Sequence, residues 1–136
     1  MSNQVAVNMY QQGKSGSRAE IRGHQLVCDR PEAKGGEDQG AMGGEVMLAG
    51  LGGCFMSNLL AAAQARNITL DDTRVKVIGT LEGNPLKFTD IVLQVAGTHA
   101  DQDEFEKLVV IAERGCIVAN TLKSAVKLRV AVVTHP

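Results

Sequence analysis

The chain has 136 residues, 44% of them apolar, which fits one folded domain over residues 1–136 and excludes a disordered or fibrous protein. The formal net charge is −1 and the basic residues are scattered, so no concentrated positive field for a nucleic-acid backbone is visible. Aromatic residues make up only 3%, too few for base-stacking platforms. We therefore expect no nucleic-acid partner.

The N-terminal segment has neither the apolar core of a secretion signal nor the pattern of a transit peptide. The apolar run near residues 46–56 is too short to span a bilayer. These features predict a cytoplasmic protein without a membrane partner. In that compartment the three cysteines are expected to be free thiols rather than a disulfide framework.

Strands and a long loop are predicted for the N-terminal third of the chain. Alternating apolar residues indicate a first strand around residues 5–9, and extended segments follow at 19–22 and 24–28. Residues 29–42 are rich in glycine and are predicted to form a loop, long enough to be of functional interest.

The segment 45–66 is nearly all apolar or small and is too long for a strand, so it is predicted to be a helix buried all round. Gly50, Gly52 and Gly53 each cost such a helix about 1 kcal/mol relative to alanine. Another backbone packed against this stretch would offset the cost. Asn67 is the expected C-cap.

The C-terminal part predicts a hairpin, two helices and a closing strand. In chain order these elements are strands at 74–81 and 89–97, a helix starting at Asp101 or Asp103 and capped by Gly115, a helix at 117–125 and a strand at 128–133. The whole order β-β-β-α-β-β-α-α-β indicates an α+β fold with an antiparallel sheet.

Cys54 lies within the long helix, directly after Gly52 and Gly53. Free cysteine is among the most buried residue types, and composition alone favours a structural role. The glycines leave room beside the sulfur for a partner backbone or a small substrate. Both interpretations stay open.

Cys116 lies between Gly115 and the short helix that follows. The unpaired amides and positive dipole end at a helix N-terminus stabilise a thiolate and lower its pKa. A purely structural role, as a small side chain that occupies space at a helix junction, is an equally good interpretation. Cys28, at the end of a strand, has only a structural interpretation.

Two charged residues are candidates for activating Cys54. Glu45 begins the long helix, where its charge complements the dipole, and this alone is a sufficient structural explanation. It lies nine residues before Cys54, about 13 Å along the axis, so it would need an intervening arginine to reach the thiol. Arg18 and Arg22 are the nearest in the chain.

Metal and cofactor motifs are not recognisable. His24, His99 and His135 are isolated, and no Cys/His spacing resembles a zinc site. The glycines near residue 43 are not followed by the Gly-Lys-Ser/Thr of a phosphate-binding loop. We expect no metal and no cofactor.

The chain nevertheless resembles the OsmC/Ohr family of thiol peroxidases. Residues 35–40 (GGEDQG), Glu45 and residues 52–55 (GGCF) match the family's loop, helix-opening glutamate and cysteine motif. Residues 113–122 (ERGCIVANTL) match its second cysteine motif. The glutamate precedes the cysteine by nine residues, whereas the best-characterised hydroperoxide reductases have ten. This departure, together with the loop and residues 29–31 (DRP), makes the chain look more like an OsmC-like branch than a dedicated hydroperoxide reductase.

The resemblance implies an intertwined homodimer whose antiparallel sheets wrap around long central helices. It implies that Cys54 is a peroxidatic thiol, that Cys116 resolves it, and that Glu45 and Arg18 hold Cys54 as a thiolate. The substrate would be an organic hydroperoxide. The reductant would be a dithiol, either a small thiol or a lipoylated or thioredoxin-like protein.

Two other functions stay open at this stage. One is a non-enzymatic dimer that binds a small apolar ligand at its interface. The other is a stress-associated structural protein with inert thiols.

Overall fold

The computed structural model describes residues 2–97, 99, 101–124, 129 and 133, and their contacts divide the chain at Ala49/Gly50 into two units. The elements are β1 (Asn8–Gln12), β2 (Gly16–Ile21), β3 (His24–Cys28), a 3₁₀ turn (Glu32–Lys34), α1 (Gly43–Ala65), β4 (Arg74–Glu82), β5 (Lys87–Ala96), α2 (Gln102–Gly115) and α3 (Ile117–Lys123). This order confirms the predicted α+β class. The expected strand at 128–133 lies outside the described residues except for Arg129 and Val133, and the single domain stays a prediction.

The first unit carries an antiparallel sheet in the order β1-β2-β3. The sheet corrects the predicted first strand, because β1 begins at Asn8 and Val5 is 92% exposed. The turn at Gly13, whose φ is +71°, pairs Asn8 with Glu20. Strand β2 ends at Ile21, one residue after Glu20, so it does not extend far enough to pair with Val5.

Asp29 orders the long loop of the first unit. The residue is 4% exposed, and its carboxylate accepts hydrogen bonds from the amides of Arg30 (2.7 Å), Glu37 (3.2 Å) and Gln39 (3.2 Å). Burial by itself would raise the pKa of Asp29, but these bonds, led by that of Gln39, outweigh it and hold the pKa at about 2. The predicted loop is therefore organised around a buried negative charge.

Helix α1 starts in the first unit and continues into the second. Its C-terminus fits the prediction, because Asn67 has φ +56° and its amide donates to Gln64 O (3.1 Å). One face of α1 enters the core of the second unit. The buried residues on this face are Leu51, Phe55, Leu59, Ala62 and Ala63.

The opposite face of α1 is uncovered in the single chain, which corrects the prediction of a helix buried all round. Its exposed members in the second unit are Gly50, Gly53, Ser57, Leu60, Ala61, Gln64 and Ala65. These residues recur at helical spacing and are mostly small, so the side chains of this face present little surface to bury. At Gly52 the close neighbour is a side chain and not the predicted backbone, since a Cβ there would lie 3.0 Å from Val77 Cγ2. Near Gly50 and Gly53, the described part of the chain places nothing within 4 Å of such a Cβ.

By length and composition α1 is the one described helix that could cross a membrane. This corrects the prediction, made from residues 46–56 alone, that the apolar run is too short to span a bilayer. The same test is passed by core helices of soluble proteins. Because five of its residues are buried in the core, α1 is of the core-helix type.

The second unit packs a hairpin and two helices around α1. Strands β4 and β5 pair antiparallel, as predicted. Asp101 is the N-cap of α2 and accepts from the Glu104 amide (3.1 Å), which confirms the predicted start. Leu108 and Ala112 of α2 are buried in the core.

Candidate functional site

The junction of α2 and α3 is built around Cys116, which is 0% exposed. Its amide donates to Glu113 O (3.2 Å) and closes α2, while its sulfur accepts from the Ala119 amide (3.4 Å) and caps α3. One residue thus ends one helix and begins the next. The cysteine side chain takes the place of the usual Ser, Thr, Asp or Asn cap.

Cys54 lies on α1, half-buried, and its thiol contacts the start of α3 and the thiol of Cys116. The backbone amide of Val118 lowers the pKa of Cys54, and burial opposes this effect. Hydrogen bonding from the Cys116 side chain and from the Ile117 amide lowers it further. The net result is a thiol whose pKa lies below its ordinary value.

Cys116 behaves in the opposite way. Burial raises the pKa of Cys116, the Ala119 amide opposes that rise, and the adjacent Cys54 adds to it. The expectation that the helix N-terminus lowers the pKa of Cys116 is therefore reversed. The first amides of α3 stabilise negative charge on Cys54, and Cys116 supplies a protonated donor.

Asn58 is a site residue that sequence reasoning missed. Its side-chain Nδ2 donates to Cys54 O (2.9 Å) and lies 3.9 Å from Cys54 Sγ. Its Oδ1 lies 2.8 Å from the position that a Cβ at Gly115 would take. The available signal was its spacing, since residues four apart on a helix share a face.

Glu45 lies in the first turn of α1, as predicted, and its Oε1 accepts from the Met42 amide (2.9 Å). Met42 immediately precedes the helix, so this bond is half of a capping box. The contact between Glu45 and Met42 stabilises the start of α1.

Arg18 lies on β2 of the N-terminal sheet. Its Nε is 3.4 Å from Glu20 Oε1, and its guanidinium lies 5.3 Å from the ring centroid of Tyr10. These contacts, like that of Glu45, are made within the first unit. The pairing of Arg18 and Glu45 with Cys54 stays a prediction. Cys28 ends β3, where it pairs with Ser17, in keeping with its structural interpretation.

A cavity of about 540 Å³ opens in the second unit between β5 and the helices. Phe55 and Ala119 are on its wall, the first next to Cys54 and the second in contact with the Cys116 sulfur. Glu113 and Lys123, which pair with each other, supply polar groups to the lining. The volume and the apolar walls suit a small organic molecule.

No group of three or more His, Cys, Asp or Glu side chains in the described part of the chain is placed to hold a metal ion.

Three solved structures illustrate the resemblance in fold. An OsmC-like protein of unknown function from Vibrio cholerae is 17% identical, with a TM-score of 0.72 over 88% of this chain and 93% of that chain. An organic hydroperoxide resistance protein from Elizabethkingia anophelis is 18% identical, with a TM-score of 0.67 over 88% and 89%. An organic hydroperoxide resistance protein OsmC from Legionella pneumophila is 26% identical, with a TM-score of 0.60 over 88% and 90%. No curated protein matches this sequence as a relative.

These likenesses, with two antiparallel sheets and two thiols meeting beside a long helix, define an α+β protein of the OsmC/Ohr fold. Residues 36–131 match the family described as OsmC-like protein. The chain belongs to this family, which confirms the resemblance found in its two cysteine motifs.

Proposed function

We propose that this protein is a thiol-dependent peroxidase that reduces organic hydroperoxides and contributes to oxidative stress defence. One observation carries the proposal. Cys54 packs against the core cluster that contains Cys116, and the surroundings lower the pKa of Cys54 while they raise that of Cys116. A low-pKa thiolate next to a protonated thiol is the arrangement that two-cysteine peroxide reduction requires.

In the first step the Cys54 thiolate attacks the distal oxygen of a hydroperoxide ROOH. An S–O bond forms, the O–O bond breaks, and the departing RO⁻ takes a proton from solvent to become ROH. Cys54 becomes a sulfenic acid, oxidised by two electrons. The peroxide has taken up those electrons.

In the second step Cys116 condenses with the sulfenic acid. The new S–S bond forms, the S–O bond breaks, and water leaves with the thiol proton. An external dithiol then reduces the disulfide, returning two thiols and becoming a disulfide itself. The proposed donor is a small dithiol or a lipoylated or thioredoxin-like protein.

The cavity of the second unit supports an organic substrate. Neither Cys54 nor Cys116 lines it, but Phe55, the residue after Cys54, and Ala119, whose amide bonds the Cys116 sulfur, do. The cavity walls are mainly apolar. Burial of an alkyl or aryl group there is favourable by about 25 cal/mol per Å² of apolar surface, a gain that hydrogen peroxide cannot make.

Two of the structures with a similar fold also support the proposal. The Elizabethkingia and Legionella proteins are described as organic hydroperoxide resistance proteins. By the family resemblance we further propose that Glu45 and Arg18 support the Cys54 thiolate. The same resemblance and the uncovered small-residue face of α1 support a homodimer. A cytoplasmic location without nucleic-acid or membrane partners stays a prediction.

The experiment is to follow consumption of cumene hydroperoxide with dithiothreitol or dihydrolipoamide as the reductant. We expect turnover by the wild type and by Cys28→Ser, and none by Cys54→Ser. Cys28→Ser is the matched control, because it also removes one half-buried cysteine. Equal rates for wild type and Cys54→Ser, or inertness of the folded wild type towards several hydroperoxides and both reductants, would contradict the proposal.

The cavity also keeps a second function in view, the non-enzymatic binding of a small apolar ligand. Under that hypothesis a fluorescent apolar probe binds with equal affinity to wild type and Cys54→Ser, and neither protein consumes hydroperoxide. Turnover that depends on Cys54 would rule it out as the main function.

A further inference from the structure

We propose that Asn58 is the positioning residue of the thiol pair. It connects the turn of α1 that carries Cys54 to the residue immediately before Cys116. The catalytic consequence rests on the proposed peroxidase function. The effect on the Cys54 thiol itself does not, and it is measured without any peroxide.

The Cys54 side of this connection is a pair of contacts made by one amide group. A side-chain amide has two N–H donors. The bond of Asn58 Nδ2 to Cys54 O (2.9 Å) uses one, and Cys54 Sγ, 3.9 Å from the same nitrogen, is within reach of the other. A sulfur accepts weakly when neutral and more strongly as a thiolate, so the contact favours the ionised form.

The Cys116 side is a steric contact. A Cβ at Gly115 would lie 2.8 Å from Asn58 Oδ1, closer than real Cβ contacts allow. A methyl group at residue 115 would therefore displace the Asn58 amide from its present position. The sequence predicted Gly115 as a helix cap, but it is the last residue of α2 and Cys116 is the cap.

An asparagine at this position has a cost that these contacts offset. Asparagine is a poorer helix former than leucine or alanine by a few tenths of a kcal/mol, because its side chain competes for backbone hydrogen bonds. Asn58 is half-buried and its neighbour Leu59 is in the core. A leucine at 58 would suit such surroundings, so the amide is explained by what it bonds.

The test is the pH dependence of iodoacetamide alkylation at Cys54, followed by peptide mass spectrometry on the full chain. Asn58→Leu removes both donors and keeps the four-atom side chain branched at Cγ. Asn58→Asp is nearly isosteric, removes the donors and adds a negative charge. We expect the Cys54 pKa to rise in the order wild type, Leu, Asp, with alkylation at pH 7 slowed on the order of threefold for Leu and tenfold for Asp.

Two further variants separate positioning from general loosening. Gly115→Ala pushes the Asn58 amide away without altering it, and should raise the Cys54 pKa in the same direction as Asn58→Leu. Asn120→Leu is the matched control, because it removes a similar bond, from Asn120 Nδ2 to Arg114 O (3.1 Å), at the same helix junction without touching either sulfur. Asn120→Leu should leave the Cys54 pKa unchanged. Asn58→Gln retains an amide and should raise the Cys54 pKa less than Asn58→Leu does.

An unchanged Cys54 pKa in both folded Asn58 variants would overturn the proposal, as would an equal shift in Asn120→Leu. Where Asn58→Leu fails to fold, Asn58→Asp and Gly115→Ala decide the matter. Because the alkylation uses no hydroperoxide, a chain that lacks peroxidase activity can still show the shift. A chain that turns over hydroperoxide can equally fail to show it, so the two failures are distinguishable.

Discussion

Cys54 packs against the core cluster that contains Cys116, and the pKa values of the two thiols are shifted in opposite directions. The physical cause is an asymmetry in what surrounds them. Amides at the start of α3 lower the pKa of Cys54, whereas full burial at the helix junction raises that of Cys116. At neutral pH we therefore expect iodoacetamide to modify Cys54 well before Cys116, with the proteins still folded.

Replacing Cys116 tests whether its thiol supports the Cys54 thiolate. Cys116→Ala removes both the donor to Cys54 and the N-cap of α3, a cap whose loss typically costs about 0.5–2 kcal/mol of stability. Cys116→Ser retains a hydroxyl for both contacts. The pKa of Cys54, measured from alkylation rate against pH, should rise in the alanine variant and stay near the wild-type value in the serine variant. The same pKa in all three proteins would contradict this.

Acid should release the loop held by Asp29. Its pKa is lowered from 3.8 to about 2 in the folded chain, so its stabilising contribution is complete above about pH 4 and is lost as the pH falls towards 2. Hydrogen exchange at the amides of Glu37 and Gln39 measures this directly. We expect their protection to decline over that interval.

Asp29→Asn should weaken the protection of Glu37 and Gln39 even at neutral pH, because the uncharged amide accepts fewer hydrogen bonds than the carboxylate. Asp38→Asn is the matched control, since it makes the same charge change in the same loop at an exposed residue. Loss of protection in both variants, or in neither, would show that the buried carboxylate does not order the loop.

Leu59 tests the core of the second unit. It is 0% exposed, so Leu59→Ala removes packed methyl groups and should lower the free energy of unfolding by about 2–5 kcal/mol. Leu86→Ala makes the same change at a side chain that is 66% exposed and should cost less than about 1 kcal/mol. Urea unfolding followed by circular dichroism measures both, and equal losses would contradict the described core.

The uncovered face of α1 predicts the behaviour of the chain in solution. Sedimentation equilibrium should give twice the chain mass of 14.4 kDa. Gly50→Leu, which places a large side chain on a face of mostly small residues, should shift the mass towards that of one chain. Leu86→Ala, in the hairpin, should leave it unchanged. A wild-type mass of 14.4 kDa at micromolar concentration would contradict the proposed homodimer.

Much of the fold follows from local signals in the sequence. Asp101 as the N-cap of α2 and the span of β3 are correct, because capping and alternation act over a few residues. The first strand is displaced because Val5 alternates well but has no partner strand, and pairing is decided by the turn at Gly13. The burial of α1 is overestimated because its small residues count as apolar whether or not anything covers them.

The electrostatics of the candidate site could not be predicted from the sequence. Both cysteines could be singled out, one by the glycines before it and the other by the helix after it. The amides of α3 lower the pKa of Cys54, which lies about sixty positions earlier in the chain. No local sequence pattern encodes an effect over that separation. Asn58 was missed for the same reason, since its importance comes from Gly115 on another helix.

The most direct test of the central claim is to map the disulfide formed after one equivalent of cumene hydroperoxide. The reduced protein is treated with the hydroperoxide, and the thiols that remain are alkylated. The peptides are then identified by mass spectrometry without reduction. The thiol-pair mechanism predicts a Cys54–Cys116 linkage close to one per chain, with Cys28 alkylated. Thiols that stay fully alkylatable, or a linkage that leaves out Cys54, would contradict it.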